Sequence, residues 1–322
     1  MTTALLSDIG GTNARFALLT DGVLGPVSVL PVADYPTITA AVAAFLGDRR
    51  PDLAVIGAAG PVRGDLVPMI NAGRTVDAAE LRATFGLRTV RLVNDFEALA
   101  WALPGFTPDD LLPLGPHPIP GEGTLCVVGP GTGFGLAALC RHRAGDTALA
   151  TEGGHASVAA EDKRDEAIIR VLRDQFGQVS IERILSGPGL VNLYYAVGLV
   201  DGLVLRERTN AEIVAHALAG TCEASVATLT TFCAFLGSVA GNAALSFGAM
   251  GGVYIAGGIP ARFPDFLAAS PFRARFEAKG RMRPYVEAVP TALITHKLPA
   301  FVGLARLAQG AADHLDRSSA RA

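Results

Sequence analysis

Two glycine-rich stretches, Gly10-Gly11-Thr12-Asn13 and Gly131-Thr132-Gly133, are composed to gather backbone N–H groups around a phosphate, because successive amides in a turn form an anion-binding concavity. Each follows an apolar strand and leads into another, "ALLSDI" into "ARFALLT" and "GTLCVV" into "LAALC". The P-loop and the dinucleotide fingerprint both need a helix directly after their glycines, so neither describes these turns. Nor do Gly129, Gly131, Gly133 and Gly135 keep GxGxxG spacing. Either turn alone is equally the pattern of a tight hairpin. Thr12, Asn13 and Thr132 add hydroxyl and amide groups at the two tips.

Carboxylates suited to hydroxyl chemistry occur elsewhere. In "LVNDFEALA", Asn94 and Asp95 stand where a core strand gives way to a helix, the edge at which open α/β sheets bind ligands. Capping of that helix accounts for such a pair equally well. "TEGGHAS" places Glu152 and His155 around two glycines, and "SIERILSG" adds Glu182. Carboxylate oxygens accept hydrogen bonds from adjacent sugar hydroxyls. "VYIAGGIP" is a strand ending in Gly257-Gly258, where backbone can approach a flat ligand closely.

The elements that must position these residues alternate along the chain. Around the first turn come a helix in "TITAAVAAFLG", strands in "LAVIGAAG" and "TVRLV" and a helix in "FEALAWAL", an α/β layer pattern. Prolines at 104, 108, 113, 116, 118 and 120 deny regular structure to the next segment and mark a domain boundary. The second strand-turn-strand unit then repeats the opening plan, which suggests a duplicated fold with two turns facing across a cleft. Downstream, "DEAIIRVLRDQFG" is an amphipathic helix and "SGPGLVNLYYAVG" a helix capped by Ser186. The final "FVGLARLAQGAADHL" reads as a helix returning to the first domain, and the proline segment together with Pro299 would supply a hinge.

The 322 residues, half of them hydrophobic, suffice for two cores. A net charge of −3 provides no basic surface for a nucleic-acid partner. Cys126, Cys140, Cys222 and Cys233 form no CxxC pair or Cys/His cluster, so they read as reduced and mostly buried. No secretory signal opens the chain, which makes the cytoplasm the expected compartment. From Ala224 to Ala261 no Lys, Arg, Asp or Glu appears, but the glycines within it favour a buried helix and a core strand over a membrane span.

Taken together, "DIGGTNARFAL", "LVNDFEALA", "GPGTGFG", "TEGGH", "ERILSGPGLVNLY" and "VYIAGGI" resemble the bacterial glucokinase family of the sugar kinase, heat-shock protein and actin superfamily, in order and nearly in spacing. The resemblance implies an α/β fold of two ribonuclease-H-like (actin-like ATPase) domains around a central cleft. Residues 1–106 with about 299–322 would form the small domain and 107–298 the large one. It implies transfer of the γ-phosphoryl group of ATP to the 6-hydroxyl of D-glucose, the entry step of glycolysis, by a cytoplasmic homodimer. Asp95 would be the catalytic base, and Asn94, Asp95, Glu152, His155 and Glu182 would hold the sugar. Asp8, Ile9, Gly10, Gly11, Thr12 and Asn13, with Gly131, Thr132 and Gly133, would bind the ATP phosphates, and Gly257 and Gly258 the adenosine. Asp8 would hold Mg2+ through water.

Asn71 fits the family, whereas Arg74 stands where relatives usually carry Trp, and Lys297 and Leu298 fall where the pattern is looser. Arg74 keeps open a related kinase for fructose, mannose or an N-acetylhexosamine. A non-catalytic, sugar-responsive binding protein on the same fold is the reading from another class. The zinc-containing relatives carry a compact Cys cluster that this chain lacks, so no zinc is expected.

Overall fold

The computed structural model describes residues 2–69, 73–115 and 122–319. Asn71, Pro116, Pro118 and Pro120 lie outside the described residues. The chain divides into two compact units, 1–106 with 297–322, and 107–296.

Unit 1 opens with the hairpin β1 (Thr3–Ile9) and β2 (Asn13–Thr20), followed by β3 (Val23–Leu24), β4 (Ser28–Pro31) and α1 (Ile38–Leu46). Then come β5 (Leu53–Ala58), a small hairpin of β6 (Leu66–Met69) and β7 (Arg74–Asp77), α2 (Ala78–Phe85), β8 (Thr89–Asn94) and α3 (Asp95–Ala102). The sheet runs β3-β2-β1-β5-β8, antiparallel through the first hairpin and parallel from β1 to β5 to β8. Alternation sorts each strand onto two faces. Leu5, Ile9, Ala54, Ile56 and Ala58 pack with α1 and α2, while Ala4, Leu6, Leu53 and Val55 face the opposite core.

Unit 2 repeats the order. It contains β9 (Leu111–Pro113), β10 (Leu125–Pro130), β11 (Phe134–Cys140), β12 (Thr147–Thr151), α4 (Lys163–Phe176), α5 (Gly187–Asp201), α6 (Asn210–Leu218) and α7 (Glu223–Phe247). β13 (Gly252–Ile255), α8 (Pro264–Ala269), α9 (Phe272–Glu277), α10 (Arg283–Glu287) and β14 (Thr291–Ile294) complete it. Its sheet, β12-β11-β10-β13-β14, has β9 added at one edge. The chain then returns to unit 1 as α11 (Pro299–Ser319), whose Phe301, Leu304 and Leu307 are buried against Leu6, Val55 and Ala98.

One element departs from the sequence reading. The proline-rich segment contains a strand, β9, paired antiparallel with β14 through Leu111↔Ile294 and Pro113↔Ala292. Proline is tolerated there because β9 is an edge strand, where a missing N–H interrupts no ladder on the outer side. The uncharged stretch forms α7 and β13, and 83% of the apolar window of α7 is buried inside the protein, as in a core helix.

Candidate functional site

In unit 1 the predicted residues gather at the C-terminal edge of the parallel strands. Ile9, Ala58 and Asn94 lie in one register row across β1, β5 and β8. The first turn is closed by Gly10 N–H donating to Asn13 O at 2.9 Å, leaving Gly11 and Thr12 exposed at its tip. Thr12 O accepts from Val32 N–H at 2.9 Å, which ties the turn to the end of β4.

Asp8, by alternation, shares the α3 and α11 face with Ala4 and Leu6. Burial holds its carboxyl above the ordinary carboxylate value of 3.8, and Arg15, its cross-strand neighbour at 3.4 Å, offsets this in part.

Asn94 is the N-cap of α3. Its Oδ1 accepts from Phe96 N–H at 2.9 Å and Glu97 N–H at 3.3 Å, and its Nδ2 donates to Gly60 O at 3.2 Å. The capping reading of Asn94 is therefore met. Asp95 opens the helix, with Oδ1 accepting from Phe96 N–H at 3.0 Å. A carboxylate in this first turn is favoured by the positive end of the helix dipole.

In unit 2 three segments distant in sequence, around residues 154, 182–187 and 257, converge on the β10–β11 turn. Gly131 N–H donates to Gly133 O at 2.8 Å and closes it. Glu182 Oε2 accepts from Phe134 N–H at 2.8 Å, directly beneath Gly133, where a Cβ would strike the carboxylate. Gly187, first residue of α5, donates its N–H to Gly131 O at 2.9 Å. Gly257, at φ +96°, lies so close to the end of β10 that a Cβ would collide with Pro130 O. Gly258 next to it faces open space.

Glu152 and His155 flank a short 3-10 turn beside this loop. Gly154 packs against Phe134 O and accepts Glu182 N–H at 2.9 Å, so the "TEGGH" and "ERILSG" segments are stitched together. Glu152 Oε2 and His155 Nε2 stand 4.0 Å apart with side chains 63% and 64% exposed, both able to meet a ligand.

Three residues of interest were not singled out by sequence reasoning. Arg15 pairs with Asp8, a relation the register of a four-residue turn dictates. Gly60, the partner of Asn94, sits where a Cβ would collide with Pro68 O of β6. Gly187 had been read only as part of a helix start. Arg74, on β7, turns two guanidinium N–H groups to carbonyls, Tyr35 O at 3.2 Å and Gly73 O at 3.5 Å. No group of three His, Cys, Asp or Glu able to hold a metal ion occurs among the described residues. The four cysteines are free thiols, two buried and two half-buried.

Residues 5–311 match the glucokinase family model. A glucokinase of Caulobacter sp. (strain K31) is 44% identical over 308 residues, covering 94% of this chain and 93% of the relative. The crystal structure of a glucokinase from an Antarctic psychrotroph superposes with a TM-score of 0.86 at 35% identity, over 95% of this chain and 98% of that one. A ROK family glucokinase from Streptomyces griseus, solved with glucose and AMPPNP, shares the fold at a TM-score of 0.63 and 22% identity, over 95% of this chain and 98% of its own. The fold is that of the actin-like ATPases, and the expectation drawn from the motifs is met over nearly the whole length: the chain belongs to the glucokinase family.

Proposed function

We propose that this protein transfers the γ-phosphoryl group of ATP to the 6-hydroxyl of D-glucose, yielding glucose 6-phosphate and ADP. The observation that carries the reading is 44% identity to a glucokinase across 94% of the chain. The glucose and AMPPNP bound by the Streptomyces griseus enzyme support the same pair of substrates.

Asp95 orients the 6-hydroxyl and takes its proton late, when bond formation to phosphorus has acidified it. Phosphoryl transfer passes through a loose transition state, so the protein acts mainly by in-line positioning and charge stabilisation. Glu152, His155, the second N–H of Asn94 and Oε1 of Glu182 are the groups offered to sugar hydroxyls. A buried acceptor left unpaired by the wrong epimer costs free energy, which is the source of selectivity. The β1–β2 and β10–β11 turns offer backbone N–H groups to the phosphates, and Gly257 and Gly258 border the adenosine.

Mg2+ keeps several waters and takes one or two carboxylates besides nucleotide phosphates. Asp8, a single carboxylate whose burial disfavours its charge, fits such an ion, because a cation beside it restores the ionised form. Held there by Asp8 through water, Mg2+ would supply positive charge to offset that of the nucleotide phosphates. The finer reading places the enzyme in the cytoplasm, at the entry of glycolysis, as a homodimer.

A coupled assay of ADP release with ATP and a panel of hexoses tests the proposal. Glucose should give the highest kcat/KM. Preference for fructose, mannose or an N-acetylhexosamine would redirect the assignment to a related kinase, with Arg74 the first residue to exchange. No turnover on any hexose would favour a binding protein.

A further inference from the structure

Unit 1 has an open cavity of about 640 Å³ at the pole where its parallel strands β5 and β8 begin. Gly47 and Gly86, the positive-φ caps that end α1 and α2, stand on its rim. Arg50, Pro51 and Asp52 lead from it into β5, as Arg88 leads into β8. Asn94 and Asp95 are at the far end of β8, a strand of six residues and so about 20 Å long. The cavity is therefore separate from Asn94 and Asp95, the residues of unit 1 proposed to hold the sugar.

Its lining has two sides. One is cationic: the guanidinium groups of Arg50 and Arg88 outnumber the single carboxylate, that of Asp52. A helix C-terminus disfavours anions, but the end of α1 is answered from within the chain. Arg49 donates to Leu46 O at 2.9 Å and to Phe45 O, and Arg50 Nη1 donates to Gly47 O at 3.1 Å and Arg49 O at 3.0 Å. These bonds hold the Arg50 fork in place and leave its Nε and Nη2 to a ligand. Arg88 is tied to the same rim by its backbone N–H, which donates to Asp52 O at 2.8 Å. Such planar forks suit phosphate oxygens, which they bind in pairs.

The other side accepts hydrogen bonds. Gly86 and Leu87 N–H both turn to Arg82 O, so the last carbonyls of α2 keep no helical donor. The exposed Thr84 hydroxyl lies among them, and Asp52, whose Oδ2 accepts from Thr3 N–H at 2.8 Å, still offers Oδ1. Pro51 and Phe85 add apolar surface. The volume exceeds what an inorganic anion fills and falls in the range of small-molecule sites, about 300–1,000 Å³.

We infer that this cavity binds a phosphate monoester with a hydroxylated body, its phosphate on Arg50 and Arg88 and its hydroxyls on Asp52 and the end of α2. The inference goes beyond the proposed reaction and does not depend on it.

Titration calorimetry of the full chain at fixed ionic strength, with glycerol 3-phosphate and glucose 6-phosphate as probes, is the test. With saturating glucose and AMPPNP present, one equivalent of either ester should bind, inorganic phosphate should bind more weakly and glycerol should not bind. For glycerol 3-phosphate the dissociation constant should lie within about twofold of that measured without glucose and AMPPNP, as for uncoupled sites. Arg50→Gln and Arg88→Gln should each weaken ester binding by about tenfold or more. Thr84→Glu, which keeps both arginines and sets a carboxylate on the wall, should do the same. Arg173→Gln, at an exposed position on α4 of unit 2, should leave binding unchanged. Circular dichroism and ADP release with glucose should be retained in Arg50→Gln and Thr84→Glu. Failure of both esters to bind overturns the proposal, as does displacement of glycerol 3-phosphate by glucose and AMPPNP. Binding indifferent to Arg50→Gln and Thr84→Glu overturns it too, and inorganic phosphate binding as tightly as the esters overturns the hydroxylated body.

Discussion

The two strand-turn-strand units share a plan and differ in what supports their turns. In unit 1 the turn at Gly10 to Asn13 has one closing bond and one tie, Val32 N–H to Thr12 O, and its tip is open to solvent. In unit 2 the turn at Gly131 to Gly133 is braced by Glu182, Gly187, Gly154 and Gly257. The difference shows that one motif can be local in one copy and assembled from remote segments in the other. The braced turn is preorganised and so sensitive to changes far away in sequence; the open one depends on its own residues and on Asp8 at its base.

Substitutions can sharpen or break this contrast. The largest effect belongs to the unit that carries the proposed base. Asp95→Asn should lower kcat by about 10² to 10⁴, the usual worth of general-base assistance, with little change in the KM for glucose. Near-native turnover would remove Asp95 from that role.

Gly257→Ala should follow, since it combines a positive φ with a collision at Pro130 O. A loss of about 1–3 kcal/mol in stability by urea unfolding is expected. Gly10→Ala, whose Cβ would meet only Asn13 O at 3.4 Å, should stay within about 1 kcal/mol of the native protein. Equal losses at the two glycines would erase the distinction between a braced and an open turn.

Glu182→Gln weakens a charge-assisted bond to Phe134 N–H and should cost about tenfold in kcat/KM for ATP as well as glucose. If only the glucose constants move, Glu182 is a sugar contact and not a brace.

Asp8→Asn should have the smallest effect on stability, and in the opposite direction. The folded protein holds the proton of Asp8 more tightly than the unfolded chain, so stability falls as pH rises from about 4 through the folded value. The Asn variant escapes that loss. Its melting temperature should match the native one at low pH and exceed it at neutral pH, while phosphotransfer should decline under the proposal that Asp8 holds Mg2+. A lower melting temperature at neutral pH would mean that Arg15, rather than burial, dominates the carboxylate.

Much of this architecture was legible from periodicity. The hairpin strands β1, β2, β10 and β11, the Ser186 cap of α5, the buried α7 and the terminal helix all follow from local patterns, and each appears where those patterns put it. Contacts that depend on chain reversal were not legible. That Gly154 and Glu182 share a hydrogen bond, or that Gly257 rests on Pro130, is decided by strand order and loop packing. Asn94 illustrates a different limit. Cap and ligand were posed as rivals, yet an amide that spends its oxygen on two helix N–H groups still has nitrogen to offer. The strand β9 was hidden because prolines mask strand propensity, although an edge position accepts them.

The return of α11 to unit 1 bears on how the protein is made. Leu6, Val55 and Ala98 need Phe301, Leu304 and Leu307 to cover them, but the 190 residues of Thr107–His296 are synthesised in between. At about 5–20 residues per second, that face of the first sheet waits on the order of 10–40 s on the ribosome without its covering helix. Unit 2, contiguous in sequence, is free to fold as it emerges, so the earlier-made unit is the one completed last. Nascent chains stalled before residue 297 should therefore expose an apolar sheet face, a ready target for chaperones during translation.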